Sequence, residues 1–282
     1  MNLTSGMRAA FYMIIATLFL SLVPVCVKAI PTEAGVSVSQ KLFARASISA
    51  VITLFILLFR RIPLKPGSVR LLGARSIFGI AGMLTYFTAV EGLPLAEAVT
   101  INRLSPFFVL IFAWWFLKER LRKAQIVALF LGLVGVVVIL RPGVIPISLP
   151  AGLALLSAIF AGSAYTAIRA LRKTDKPLII VFWFSVLMSL VFLPSVIRNG
   201  VIPDSRSLIL LICIGIFGAS GQLFMTSAYR YAPGGKVAIY GYLSVIFSML
   251  WQTMFFNSIP SLAVFAGAAL ILLGGWINYR VR

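Results

Sequence analysis

Ten stretches of predominantly apolar residues follow one another along this chain, at 9–30, 37–59, 72–90, 96–117, 124–140, 149–171, 178–197, 207–229, 235–256 and 261–279. Each approaches or reaches the roughly 20 residues needed to cross the hydrocarbon core of a bilayer. In hydrocarbon every backbone N–H and C=O must find a partner inside the protein, and segments of this length achieve that as helices. The expected fold is therefore an all-α integral membrane protein with ten transmembrane helices. Charge clusters and Gly/Pro turns separate the stretches. With 61% hydrophobic residues in 282, no section is polar enough to build a soluble domain or an extramembrane active site. The first stretch follows Arg8 and is too long, with no small-residue cleavage site after it, for a removable signal peptide.

The net charge of +19 reads as a topology signal. With the N-terminus placed in the cytoplasm, eighteen basic residues fall on that side, among them Arg8, Arg60, Arg61, Lys65, Arg70, Arg75, Lys118, Arg120, Arg230 and Lys236. The opposite side holds Arg141, Arg198 and Arg206. The positive-inside rule then puts both termini in the cytoplasm, for a multi-pass protein of the inner (plasma) membrane. A nucleic-acid partner is not expected, since that needs a contiguous basic face on a soluble module. There is no histidine, and Cys26 and Cys213 stand singly inside spans, so the sequence implies no metal site, no disulfide and no cofactor.

The chain also repeats itself. Residues 77–135 return at 216–274 with a constant offset of 139 and no gap. Ile77-Phe78-Gly79 returns as Ile216-Phe217-Gly218, Gly82 as Gly221, Pro94 as Pro233, Leu104-Ser105 as Leu243-Ser244 and Gly135 as Gly274. Matches at Gly, Pro and Ser carry the weight, because apolar segments resemble one another by composition alone. The expected organisation is a first five-helix repeat at 1–143 and a second at 144–282, with the seam near Arg141-Pro142-Gly143. Five is odd, so equivalent helices run in opposite directions. Glu91 and Glu97 around one outer turn against Arg230 and Lys236 around the equivalent inner turn fit that inversion. The first two helices of each half match more weakly, at an offset of 141 that pairs Phe19 with Phe160 and Arg45 with Val186. Inverted repeats place a substrate site near the midplane between the halves.

A charged side chain at the centre of a membrane helix costs about 2.5–3.5 kcal/mol on insertion scales, so each one needs a reason. Lys41 and Arg45 lie one turn apart on the second helix, Arg103 stands beside Asn102 in the fourth, and Lys28 sits near the outer end of the first. Lys28 and Lys41 can snorkel to the headgroups, whereas Arg45 and Arg103 are deeper and read as cavity-lining. No carboxylate is expected beside these cations, Glu97 being the nearest candidate. A cavity lined by uncompensated cations favours a carboxylate or phosphate on the solute. Neutral polar groups come from the second half: Tyr240, Ser244, Ser248 and Gln252 form a stripe on the ninth helix, Gln222 and Thr226 lie on the eighth, and Tyr165 on the sixth. Tyr86 lies on the third. Trp183 and Trp251 can stack on a ring or fill volume, and Trp114-Trp115 read as lipid-facing anchors. Gly79 and Gly82, repeated as Gly218 and Gly221, allow close helix approach. Pro24, Pro106 and Pro194 interrupt helices and free backbone carbonyls.

The runs Tyr86-Phe87-Thr88-Ala89, Leu93-Pro94-Leu95-Ala96-Glu97-Ala98 and Ser105-Pro106-Phe107-Phe108-Val109 resemble the third and fourth helices of the drug/metabolite transporter superfamily. So do Phe116-Leu117-Lys118-Glu119-Arg120 and Gly132-Leu133-Val134-Gly135-Val136. Within the superfamily the chain is similar to the EamA-type transporters, in the branch containing S-adenosylmethionine and riboflavin carriers. The resemblance implies a cavity lined by helices 1–4 and 6–9, on which Arg45, Tyr86, Asn102, Arg103, Gln222, Tyr240 and Ser244 fall. One departure is Ser258, where the family often carries an acid like Glu119. The buried cations fit poorly with a sulfonium solute.

The expected function is secondary transport of a small organic metabolite, such as an amino acid, vitamin or other anionic or neutral solute, by alternating access. No catalytic residue is expected: six carboxylates and no histidine leave little for enzyme chemistry. The partners expected are a small-molecule solute and membrane lipid, with a homodimer left open. The rival readings are a lipid-headgroup flippase and a non-transporting accessory membrane protein.

Overall fold

The computed structural model describes residues 5–117, 123–140, 148–171, 174–231 and 240–280, and among them every regular element is helical. Eleven α-helices follow in order: α1 Ser5–Ala29, α2 Val38–Phe59, α3 Val69–Gly92, α4 Leu95–Asn102, α5 Ser105–Leu117, α6 Lys123–Leu140, α7 Leu149–Leu171, α8 Pro177–Asn199, α9 Ser205–Tyr231, α10 Leu243–Phe256 and α11 Leu262–Arg280. Eight stretches, with α4 and most of α5 counted as one, are long and apolar enough to cross a membrane, and α10 and α11 are shorter apolar helices. The protein is an all-helical, multi-pass membrane protein. Phe55, Phe59, Phe130, Leu190, Ile197 and Leu262 are exposed on the outside of the bundle, as are Trp114 and Trp115. That apolar surface is what lipid covers.

The fourth expected helix is broken. Pro106 has no N–H to give the Asn102 carbonyl, and its ring crowds that carbonyl, so α4 stops at Asn102 and α5 starts at Ser105. Pro24 and Pro194 stay inside continuous helices. A second interruption falls at Tyr242, 139 positions beyond Arg103, although Val245 stands where the first break has its proline. The helix ends are closed by local chemistry. The Ser37 hydroxyl accepts from the Gln40 N–H at the start of α2, Pro177 opens α8, and Asn257 turns left-handed after α10. The junction at 141–147, Glu119 and Lys236 lie outside the described residues, as do the side chains of Arg169, Thr226 and Arg230.

Four long helix pairs build the bundle: α1 on α9, α3 on α7, α2 on α8 and α6 on α11. Further contacts join α2 to α9, α5 to α7, α1 to α10 and α4 to both α10 and α7. Glycines set the closest approaches. A Cβ on Gly135 would stand 2.7 Å from the Gly267 carbonyl, and one on Gly274 would stand 2.8 Å from the Ala128 carbonyl. Those two contacts exchange under an offset of 139. Gly82 likewise meets Phe160 and Gly221 meets Leu20.

Candidate functional site

Two arginines meet in the interior between α2, α3, α7, α8 and α9. Arg45 projects from α2 across Gly218 of α9 in close contact: a Cβ there would lie 3.0 Å from its Nε. Arg75 projects from α3 over the ring of Phe184 on α8, with the guanidinium carbon 3.5 Å from the ring centroid. They are 3% and 4% exposed, and Arg45 Nε and Arg75 Nε and Nη1 have no hydrogen-bond partner among the described residues. Each is within Coulombic range of Tyr165 on α7, and the two are in range of one another. Tyr165 keeps 38% of its surface accessible.

Arg103 occupies the break between α4 and α5, where its backbone N–H bonds back to Val99 and Thr100. Its Nη1 reaches the equivalent break of the other half, 3.6 Å from where a Cβ of Gly241 would be. The hydroxyls of Tyr86 and Tyr242 are within its Coulombic range, and Tyr86 is also in range of Tyr165. Arg103 Nε, the Tyr242 hydroxyl and the buried Ser244 hydroxyl have no hydrogen-bond partner among the described residues. Gln222 is buried on α9. Donors buried without acceptors are costly, and a ligand that supplies acceptors relieves that cost.

Other expected cavity residues are engaged elsewhere. Lys28 turns inward instead of snorkelling: its ammonium donates to the carbonyls of Val90 and Leu93 at 3.2 and 2.7 Å, closing the C-terminus of α3. Lys41 also turns inward, donating to the Val27 carbonyl at 3.1 Å and pairing with Glu91 Oε1 at 2.7 Å. That ion pair overturns the expectation that no carboxylate accompanies these cations. Both lysines belong to a separate cavity of about 280 Å³ at the Lys28 end of the bundle, lined also by Val27, Thr32, Val36 and Glu91. The Asn102 amide donates to Ser157 Oγ at 2.8 Å and so fastens α4 to α7. Ser248 donates to its own helix at Val245, and Trp183 donates to the Leu64 carbonyl at 2.8 Å. Gln252 accepts from the Ala96 N–H at 2.8 Å, capping α4 from the opposite half, and Trp251 donates to Ser21 at 2.9 Å. Tyr240 contributes a carbonyl to Thr17 at 3.4 Å and packs its ring near Met13.

Of the residues expected at the site, the structure brings together Arg45, Tyr86, Arg103, Tyr165 and Ser244. Arg75 and Tyr242 join them unforeseen. Arg75 was counted with the cytoplasmic loop charges because Arg70 precedes it, yet it stands two turns into α3. Its spacing of four from Gly79 was the available signal.

The EamA-like transporter family model matches residues 7–141 and again 149–280. The pseudopaline exporter of Pseudomonas aeruginosa is 30% identical over 243 residues, 86% of each chain. An uncharacterized transporter of Helicobacter pylori is 29% identical over 285 residues, 97% of this chain and 90% of its own. The riboflavin transporter of Rhizobium johnstonii is 29% identical over 199 residues, 70% of this chain and 66% of its own. A solved crystal structure shares the fold, with a TM-score of 0.66 at 20% identity over 97% of this chain and 96% of that one.

Proposed function

The chain belongs to the EamA-like transporter family, and from that premise we propose that it is a secondary transporter moving a small organic anion across the inner membrane. The observation that carries the reading is the set of interior arginines, Arg45 and Arg75 buried and Arg103 with its Nε buried, none of which forms an ion pair with a carboxylate among the described residues. Glu91 is held by Lys41, Asp175 accepts from the N–H groups of Gly67 and Ser68, and Asp204 caps the start of α9. The solute supplies the missing negative charge. At an effective dielectric constant near 20, an anion about 4 Å from one arginine gains roughly 4 kcal/mol.

The site lies between two inverted five-helix repeats, 1–143 and 144–282, with both termini cytoplasmic. Two observations support this. The family model matches twice, and the helix contacts map onto themselves when the halves are exchanged: α1 on α9 becomes α7 on α3, while α2 on α8 and α6 on α11 are their own counterparts. Rocking of one half against the other exposes the arginines to each side in turn. The sequence carries no nucleotide-binding motif, so the driving force is a gradient or exchange.

Uptake by the purified protein in liposomes, screened against labelled amino acids, vitamins, carboxylates and sugar phosphates, tests the reading. Arg45→Ala and Arg103→Ala are each expected to lower uptake of the transported anion at least tenfold. Unchanged uptake in both variants would sink it.

A further inference from the structure

The three interior arginines fall into two groups. Arg45 and Arg75 come from neighbouring helices, share Tyr165, and lie over Gly218 and Phe184 respectively. Arg103 stands apart, at a helix break that faces the break of the other half, with Tyr86 and Tyr242 around it. Tyr86 and Tyr165 are in range of one another and so connect the groups. Unpartnered donors remain at both: three nitrogens on Arg45 and Arg75, then Arg103 Nε, the Tyr242 hydroxyl and the Ser244 hydroxyl.

A single small anion can satisfy one group only. Seated between Arg45 and Arg75, it relieves the repulsion of two like charges and leaves the buried Nε of Arg103 without a partner. Seated at Arg103, it leaves the other two facing one another. Both groups are satisfied together when negative charge is delivered at two places by one molecule.

Building on the anion-transport reading, we infer that the site takes a solute with two separated anionic oxygen groups, one held by Arg45 and Arg75 and the other by Arg103. Carboxylate and phosphate share this chemistry. Tyr86 and Tyr165, which connect the two groups, lie beside the connecting part of the solute.

The test measures binding to the full-length protein in nanodiscs by calorimetry. The probes are the α,ω-dicarboxylates from oxalate to suberate, monocarboxylates of the same carbon number, phosphoglycolate and inorganic phosphate. A dicarboxylate of one intermediate length is expected to bind at least tenfold tighter than its monocarboxylate. Arg103→Gln should reduce that preference below threefold, while Arg103→Lys, which keeps the charge, should retain most of it. Tighter binding of phosphoglycolate than of any dicarboxylate assigns one of the two groups to a phosphate and supports the inference. Equal binding of mono- and dicarboxylates at every length, with Arg45→Gln still weakening both, overturns the two-group site and leaves the anion transporter standing. Binding of none of these anions, together with transport of a neutral solute, overturns both. Gel filtration of each variant confirms that a loss of binding is not a loss of fold.

Discussion

The Arg45 side chain crosses the face of Gly218, its Nε 3.0 Å from where a Cβ on that residue would stand. Phe184 covers Gly79 in the same way, with a ring carbon 2.8 Å from the equivalent point, and both members of the second pair are offset by 139 from the first. The sequence alignment at an offset of 141 had set Arg45 against Val186, and the glycine contacts correct that to Phe184. An arginine therefore stands where the other half has an aromatic ring. On Gly79 the ring is joined by the Arg75 guanidinium, so both glycines face an arginine, and neither arginine has an ion pair among the described residues.

The Arg45 charge is a cost to stability that binding offsets. Arg45→Met keeps the length and apolar stem of the side chain and removes the buried cation. It is expected to stabilise the unliganded protein by about 1–3 kcal/mol, since breaking up an uncompensated buried charge is favourable. The same variant should lose at least tenfold in anion uptake. Thermal unfolding in detergent and proteoliposome uptake check the two halves of the prediction. A lower melting temperature together with intact uptake would show that Arg45 has a structural partner.

The Lys41–Glu91 pair predicts an asymmetry. Lys41 is 3% exposed and Glu91 is 31% exposed, so losing the acid strands a buried ammonium, whereas losing the base leaves a carboxylate that can turn to water. Glu91→Gln should cost about 1–3 kcal/mol, discounted from a fully buried pair because Glu91 stays partly solvated. Lys41→Met should cost less, and the double variant should recover part of the Glu91→Gln loss. Additive effects in a thermal-unfolding cycle would mean that the pair does not interact in the membrane.

The helices were legible because length and apolarity leave a membrane segment few alternatives, but their breaks were not: of the three prolines expected to interrupt helices only Pro106 does, and the break at Tyr242 has no proline. Arg45, Arg103, Tyr86 and Tyr165 stood out as polar groups in apolar surroundings. The partners of such groups were not legible, since they come from distant spans. Glu91 is 50 positions from Lys41, Ser157 is 55 from Asn102, and Leu64 is 119 from Trp183. Arg75 fell inside the expected stretch 72–90 but was counted only as a cytoplasmic charge, because nothing in the sequence shows that it turns inward onto Phe184. Asn102, Ser248 and Trp183 share the site residues' chemistry, and only the fold shows that their donors are already used.

Asp175 is expected to hold the α2–α3 connection in place. Its carboxylate accepts from the Gly67 and Ser68 N–H groups at 2.6 and 3.2 Å, just ahead of α3, and Thr174 donates to it at 2.7 Å. Asp175→Ala removes a cap on α3 and should cost about 1–2 kcal/mol. The exposed Arg60, Arg61 and Lys65 make the consequence readable: trypsin should cut this connection several-fold faster in the variant. Asp175→Asn, which retains one acceptor, should fall between. Equal cleavage rates for all three proteins would remove Asp175 from that role.

The contact of α6 with α11 is scaffold that meets the site at one point, where the Tyr242 ring packs on Gly275 of α11. Gly135 meets the Gly267 carbonyl and Ile271, and Gly267 in turn meets the Gly135 carbonyl and Ile139, so the two backbones touch with no side chain between them. A leucine at Gly135 has nowhere to go unless the helices part, and overpacking of this kind costs about 1–3 kcal/mol or more. None of Arg45, Arg75, Arg103 or their tyrosines lies on either helix. Gly135→Leu is therefore expected to lower the melting temperature and the yield of folded protein, while the fraction that elutes as folded keeps its affinity for the transported anion within about twofold. Calorimetry on that fraction makes the comparison. A large loss of affinity at full folding would show that α6 and α11 move with the site during transport and do not merely frame it.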